Sequence, residues 1–198
     1  MLVFWKQGFA FLANTKTGST AIEAALEPLA TVAVTRPPEL KHMPAARFRR
    51  FMAPLLEKSA GRQFATVALM RDPVDWLGSW YRFRTREGLR GEVQSTAGLS
   101  FADFVKGYLA DPPPVWADVG SQARFLMHRD GTCLVDRVFR YEAIGAFVQD
   151  LEERLDCEIT LPRLNVSPEA PLDLPAGLAA ALRARFAPDY ALYDSLPV

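Results

Sequence analysis

A lysine, a glycine and a run of hydroxyl side chains stand together between positions 15 and 20, in the stretch FAFLANTKTGSTAIEAAL (9–26). Phe9, Phe11 and Leu12 precede them in an apolar run, and the helix formers from Ala21 to Leu26 follow. The polar segment therefore falls where a strand hands over to a helix. The chemistry of such a turn is anion binding. The first N–H groups of a helix lack internal partners and sit at the positive end of its dipole. Gly18 lets a ligand approach the backbone, Lys16 adds a mobile charge, and Thr17, Ser19 and Thr20 supply hydroxyls. The same residues also read as an ordinary helix start beside a solvated lysine.

Two further features carry chemistry. Arg71 ends the apolar run RQFATVALM(R), and Ser79 lies eight residues on, about two turns beyond the capping candidate Asp72. Together they can grip a second phosphate; the alternative is a surface pairing of Arg71 with Asp72 or Asp75. His42, in ELKHMPAARF, is one of only two histidines, and an imidazole near its ordinary pKa suits a general base at neutral pH. His128, in FLMHRDG, reads as a turn residue. The first turn is not the nucleotide-triphosphate loop G-x-x-x-x-G-K-[ST], because Lys16 precedes Gly18 and no glycine opens the loop at the required distance.

These residues need a scaffold, and the pattern supplies one. After the first strand and helix, Pro44 to Lys58 has helical spacing. RQFATVALM is a second buried strand, and RDPVDWLGSWYRFR is a helix capped by Asp72 with Pro73 as its first residue. Residues 87 to 99 form an exposed loop. Ser100 with Asp103 caps a helix to about Leu109, ended by the run Pro112 to Pro114. A short helix near 122–127 leads to the strand CLVDRVFRY, then the helix EAIGAFVQDLEERL, a proline-bounded loop, and a helix from Ala176 to Phe186. The alternation predicts an α/β fold: one domain over 1–198, three layers α/β/α around a central, mainly parallel sheet. Ligands on such sheets bind beyond the carboxyl ends of the strands, and the three polar features that matter are all read as following strands.

Composition is that of a globular chain, 49% apolar and 23% charged over 198 residues, with zero formal net charge. Bulk electrostatic binding to nucleic acid or anionic membrane is therefore not expected. Cys133 and Cys157 have no metal-site spacing, so free thiols in a reducing, cytoplasmic setting are the default, and neither a leader peptide nor a membrane span is read from the sequence.

The two loops, KTGST after one strand and RDPVDWLGS after the next, resemble the two nucleotide-binding signatures of sulfotransferases that use 3′-phosphoadenosine-5′-phosphosulfate (PAPS). SQARFL, VDRVFRYEAIGAFVQDLEERL, LPRLNVSP and FAPDYALY continue the similarity, in order, to carbohydrate-type members across most of the chain. The resemblance implies a P-loop-nucleotide-hydrolase-like fold and transfer of a sulfuryl group to an acceptor hydroxyl, on a carbohydrate, without a metal. It implies that Lys16 contacts the oxygen bridging phosphate and sulfate, that Thr17, Gly18, Ser19 and Thr20 hold the 5′-phosphate, and that Arg71 and Ser79 hold the 3′-phosphate. Tyr141 either lies near the nucleotide or is a strand-end core tyrosine. Glu142 serves the start of its helix. His42 stands where relatives have a Lys-His pair and becomes the base. Arg47, Arg49 and Arg50 either bind an anionic acceptor or form a solvated helix side, and Asn165 orders the late loop. The chain is short for the family, and Ser19 replaces a glycine found in many relatives. Loops 87–99 and 111–120 are expected to shape the acceptor pocket.

Two other readings compete. An ATP-dependent phosphotransferase calls for the G-x-x-x-x-G-K-[ST] loop and a magnesium carboxylate, and a non-catalytic nucleotide or sulfated-glycan binding module keeps the fold without the acceptor chemistry.

Overall fold

The structure is a computed structural model that describes residues 1–164 and 170–197. Asn165 lies outside the described residues. The first strand pair is a hairpin: β1 (Leu2–Phe4) runs antiparallel to β2 (Phe9–Phe11), with Leu2 opposite Phe11 and Phe4 opposite Phe9. Between them Gly8 takes the left-handed region at φ 71°, which a tight turn requires and glycine adopts without a Cβ penalty. Its N–H donates to the Phe4 carbonyl at 2.8 Å.

From β2 the chain enters α1 (Ser19–Leu26), returns as the short edge strand β3 (Val32–Ala33), and passes through α2 (Pro38–Lys41). The segment expected to be one helix from 44 to 58 is α3 (Ala45–Arg47), a π-helical turn at Phe48–Met52, and α4 (Ala53–Ala60). Pro54 is the reason. Without an N–H it cannot donate to the carbonyl four residues back, and its ring presses on that carbonyl, so the preceding turn widens. Next come β4 (Ala65–Met70), α5 (Pro73–Arg84), α6 (Phe101–Leu109), α7 (Gln122–Leu126), β5 (Arg137–Arg140) and α8 (Ile144–Leu155). α9 (Ala176–Arg185) and α10 (Ala187–Ser195) complete the described chain.

Sheet order is β3-β1-β2-β4-β5. β2, β4 and β5 are parallel, in registers that set Phe11 beside Val67 and Met70 beside Arg140, while β1 is antiparallel to both β2 and β3. β1 is thus the one described strand running against the rest, and the sheet is mostly parallel by direction. The expected strands at 9–12 and 62–70 are present. The third is only Arg137–Arg140, because Cys133 forms an isolated bridge with Met127 instead.

Alternate residues on these strands feed opposite faces, as the two-residue period demands. Leu2, Phe4, Phe9, Phe11, Val67 and Leu69 meet Ile22 and Leu26 of α1 and Phe147 and Leu151 of α8. Val3, Ala10, Leu12, Ala68 and Met70 meet Phe48, Leu56, Leu126 and Leu192 on the other side. Helices cover both faces, which is compatible with three α/β/α layers. A third apolar cluster ties α5 to α6 and α9 through Trp76, Tyr81, Phe104, Tyr108, Leu182 and Phe186. Among the described residues no helix is long and apolar enough to cross a membrane, and both cysteines are free thiols.

The parallel strands end together, so the turns after β2, β4 and β5 occupy one edge of the sheet. The far edge is held by Asp136, which accepts hydrogen bonds from the Thr66 N–H at 2.6 Å and the Arg49 guanidinium at 2.6 Å. Arg49 also donates to the Leu134 carbonyl and the Thr66 hydroxyl. It fastens the helical segment to β4 and β5 and does not serve an acceptor.

Asp189 of α10 is 2% exposed and accepts the Ala123 N–H of α7 at 3.0 Å. Burial raises its pKa from 3.8 to about 6, against backbone hydrogen bonds from Ala123 and Gln122 that lower it. The folded pKa exceeds the unfolded one, so this group favours the fold fully below pH 3.8 and less as pH rises through about 6. A shift of that size is worth on the order of 3 kcal/mol. Asp189→Asn, which keeps the acceptor oxygen, is expected to remove that slope from the unfolding free energy measured by urea titration between pH 4 and 7. Parallel curves for the two proteins refute the assignment.

Candidate functional site

The turn after β2 is a strained loop fastened from three sides. Lys16 at φ 59° and Gly18 at φ 74° are both left-handed, and for a lysine that conformation costs roughly 1–2 kcal/mol. Left-handed residues alternating with right-handed ones curl successive N–H groups into a concavity that suits an anion. The Thr17 hydroxyl donates to the Asn14 carbonyl at 2.9 Å, and the Trp76 indole N–H of α5 donates to the Thr15 carbonyl at 2.9 Å. The Asn14 amide donates to the Leu69 carbonyl at 3.1 Å and to Gln122 Oε1 at 3.3 Å. No side chain caps the N-terminus of α1.

Gly18 is favoured on two counts. Its backbone is left-handed, and a Cβ there would come within 3.1 Å of the Tyr141 ring. Tyr141 in turn lies under the Arg71 guanidinium, 4.9 Å from its carbon to the ring centroid. The first loop, the β4 end and the β5 end are therefore in contact through one aromatic ring, and Tyr141 belongs to the site and not to the core.

Gln122, fully buried, binds the Arg71 backbone on both sides: its Oε1 accepts the Arg71 N–H at 2.9 Å and its Nε2 donates to the Arg71 carbonyl at 2.7 Å. The same Oε1 meets Asn14, so one amide holds both loops. The Arg71 Nε atom is buried without a hydrogen-bond partner among the described residues. Such an unpaired donor is costly unless something accepts from it. Asp72 caps α5 as expected, accepting from the N–H groups of Val74 and Asp75 at 2.9 and 3.1 Å. Glu142 does not serve its own helix: it accepts the Asp72 N–H at 2.9 Å and the Tyr193 hydroxyl at 2.8 Å, tying α5 to α10.

A cavity of about 1300 Å³ opens over these turns, and Lys16, Gly18, Ser19, Thr20, Ser79 and Tyr141 line it together with His42 and Arg71. That exceeds the roughly 300–1,000 Å³ common for a site holding one small molecule. Thr17 does not line it; its side chain is fully buried and its hydroxyl is committed to Asn14. This corrects the expectation that its hydroxyl meets a phosphate. Arg47, Arg49, Arg50 and His128 are also away from the lining, as are loops 87–99 and 111–120. His128 pairs with Asp130 at 3.1 Å at the surface. The outer wall comes instead from 161–164 and 170–171. Gly78 helps this: a Cβ on it would sit 2.6 Å from the tip of the Leu172 side chain, which would have to shift to keep the late segment against α5.

Cations reach the cavity from α5 and beyond: Arg82, Arg86 and Arg163 line it, while among the described residues no Asp or Glu does. Spacing made part of this legible, because Arg82 and Phe83 lie three and four residues after Ser79, on one face of α5, whereas Arg86 lies past the end of that helix. The Lys16 ammonium rests over the Phe83 ring at 3.8 Å and the Trp80 ring at 5.0 Å. Burial lowers its pKa from 10.5 to about 7, with Arg86, Arg71 and Arg84 adding to the fall. An anion in the cavity reverses that penalty.

His42 also lines the cavity. Its Nδ1 is 2.7 Å from the Ala13 carbonyl, which accepts its N–H, so the neutral ring presents Nε2 with a lone pair. Burial lowers its pKa below 6.5, the Ala13 hydrogen bond raises it, and Lys41 lowers it again. The neighbouring Lys41 pairs with the buried Glu23 of α1 at 2.6 Å, which holds the segment carrying His42 against α1.

Compared with protein-family models, curated proteins and solved structures, the chain matches none.

Proposed function

We propose that this protein is a PAPS-dependent sulfotransferase acting on a carbohydrate hydroxyl, built on a P-loop-nucleotide-hydrolase-like three-layer fold. The observation that carries the reading is the convergence of Lys16, the uncapped α1 start, Arg71 with its unpartnered Nε, and Ser79 on one cavity whose described lining has cations and no carboxylate. Two anion positions separated along one cavity suit a nucleotide with phosphates at both ends of its ribose. PAPS supplies the sulfuryl group. The α1 N-terminus with Ser19 and Thr20 receives its 5′-phosphate, and Arg71 with Ser79 receives its 3′-phosphate, where a planar guanidinium fork fits.

In the transfer, the acceptor oxygen forms a bond to sulfur as the bond from sulfur to the phosphate oxygen breaks. The acceptor proton passes to His42 Nε2, and the electron pair stays on the phosphate oxygen, which Lys16 stabilises. A cytoplasmic setting fits the two free thiols. The phosphotransferase reading needs a carboxylate for magnesium, and the described cavity wall offers none.

Calorimetric titration with 3′-phosphoadenosine-5′-phosphate (PAP), the desulfated product, tests the reading. Binding is expected to survive chelator and to weaken at least 30-fold, about 2 kcal/mol, in Arg71→Ala, since a charged hydrogen bond is worth about 1.5–3 kcal/mol. Preference for magnesium-ATP over PAP overturns it.

A further inference from the structure

We propose that the exposed face of the helical segment 45–60 is a docking surface for an anionic lipid bilayer. The face is separate from the cavity, which no residue of that segment lines, and it does not depend on the transfer reaction proposed above. Along α3, the π-helical turn and α4, Ala45, Phe48, Ala53 and Leu56 are buried in the core. Arg47, Arg50, Phe51, Pro54, Leu55 and Lys58 are left outside. They recur every three or four residues and so form one continuous strip. Its middle is apolar: Phe51 is 57% and Leu55 62% exposed, two of the large apolar side chains the fold leaves in solvent. Its ends are cationic, with Arg47 and Arg50 before the apolar pair and Lys58 after it.

The charge here is segregated. Residues 45–62 hold five cations and one carboxylate, in a chain of zero formal net charge. Arg49 is paired with Asp136 at 2.6 Å, and the carboxylate, Glu57, is half-buried and accepts the Phe64 N–H at 3.3 Å. Arg47, Arg50 and Lys58 have no ion pair among the described residues. The Arg50 guanidinium lies 5.0 Å from the Phe51 ring centroid, so charge and apolar surface are presented side by side. Arg62, just past the end of α4, donates to the Lys6 carbonyl at 3.0 Å, which holds the turn between β1 and β2, with its exposed lysine, beside the strip. The surface thus complements a negative plane. Two large apolar side chains and a proline fall far short of the roughly 800 Å² per partner of a stable protein interface. A bilayer needs no matching shape: Phe51 and Leu55 enter the boundary between headgroups and acyl chains, while the long arginine and lysine stems keep their charges at the lipid phosphates.

The test is co-sedimentation of the full chain with vesicles of phosphatidylcholine alone, and with about a third of that lipid replaced by phosphatidylserine. Binding to the anionic vesicles is expected to be at least tenfold tighter, and the difference is expected to vanish at about 1 M salt, where the screening length is about 3 Å. Arg47→Gln/Arg50→Gln is expected to weaken binding at least tenfold, each cation near the surface contributing about a factor of five. Phe51→Ser/Leu55→Ser is expected to weaken it at least tenfold as well, which charge attraction alone does not predict. All four side chains are exposed or half in solvent, so both variants are expected to keep the unfolding midpoint and PAP affinity of the unaltered protein. Equal binding to the two vesicle types, or none to either, overturns the proposal. Undiminished binding in either double variant does the same. A concentration-dependent dimer, detected by sedimentation velocity without vesicles and lost in Phe51→Ser/Leu55→Ser, also overturns it, by giving the strip to a second copy of this chain.

Discussion

Lys16→Met is expected to lower kcat about 100- to 1,000-fold while PAP affinity falls less than about tenfold. Methionine keeps a long apolar stem on the Phe83 and Trp80 rings and deletes the charge, so the variant separates packing from electrostatics. A donor aimed at charge that develops in the transition state is worth about 3–4 kcal/mol in kcat, whereas in the proposed ground state Lys16 would share the anion with the α1 N-terminus and Arg71. The protonation of Lys16 gives the same assignment a second readout. Its pKa is about 7, lowered first by burial and then by Arg86, Arg71 and Arg84. A bound polyanion favours the charged form, so the pKa rises and binding takes up a proton near neutral pH. Calorimetry of PAP in buffers of different ionisation enthalpy is expected to detect that uptake in the unaltered protein and to lose it in Lys16→Met. A variant whose loss appears only in KM, with proton uptake intact, refutes the role.

The strand-to-helix reading of residues 9 to 26 matches the structure because its signals are local. An apolar run, a glycine and good helix formers decide that stretch without help from elsewhere, and Asp72 and Ser100 likewise cap the helices that their own side chains announce. β1 and β3 escaped because three and two residues leave no period to read. Leu2–Phe4 becomes a strand only by pairing with Phe9–Phe11 across a turn whose Gly8 is interpretable once both partners are known. α10 was hidden by Pro188, which reads as a stop but sits in the first turn of a new helix, where its missing N–H costs little.

The site divides along the same line. Lys16, Gly18, Arg71 and Ser79 were legible because each follows a strand of the parallel set, and the parallel sheet brings such ends together. Gln122 was not, since its role depends on two backbones, at Asn14 and Arg71, that no spacing rule relates to it. The arginines at 47, 49 and 50 drew attention by composition, yet the turn of the helix that carries them points Arg49 at Asp136. Arg82 was in plain view at helical spacing from Ser79, and only the fold shows that this face looks into the cavity, while Arg86 reaches it from beyond the end of α5.

Under the proposed reaction, His42→Ala is expected to lower kcat about 100- to 10,000-fold, the usual range for a positioned general base, with PAP affinity within threefold of the unaltered protein. The pH profile carries the discriminating signature. The base acts when neutral, and its pKa is below 6.5 because burial outweighs the Ala13 hydrogen bond, so kcat/KM rises on the acid side through a value under the ordinary histidine pKa. On the alkaline side the free protein loses the Lys16 charge near pH 7, so kcat/KM for the donor falls again and the optimum is narrow. In kcat, which reports the loaded protein, the alkaline limb moves upward because bound phosphate holds the lysine charged. His42→Ala therefore removes the acid limb and leaves the alkaline one, and Lys16→Met does the reverse. The two limbs belong to side chains held by different contacts, His42 through Ala13 and Lys41, the Lys16 loop through Trp76 and Asn14. An acid limb that persists in His42→Ala, or a loss of PAP affinity as large as the loss of kcat, reassigns His42 to holding the segment between α2 and α3 against the end of β2.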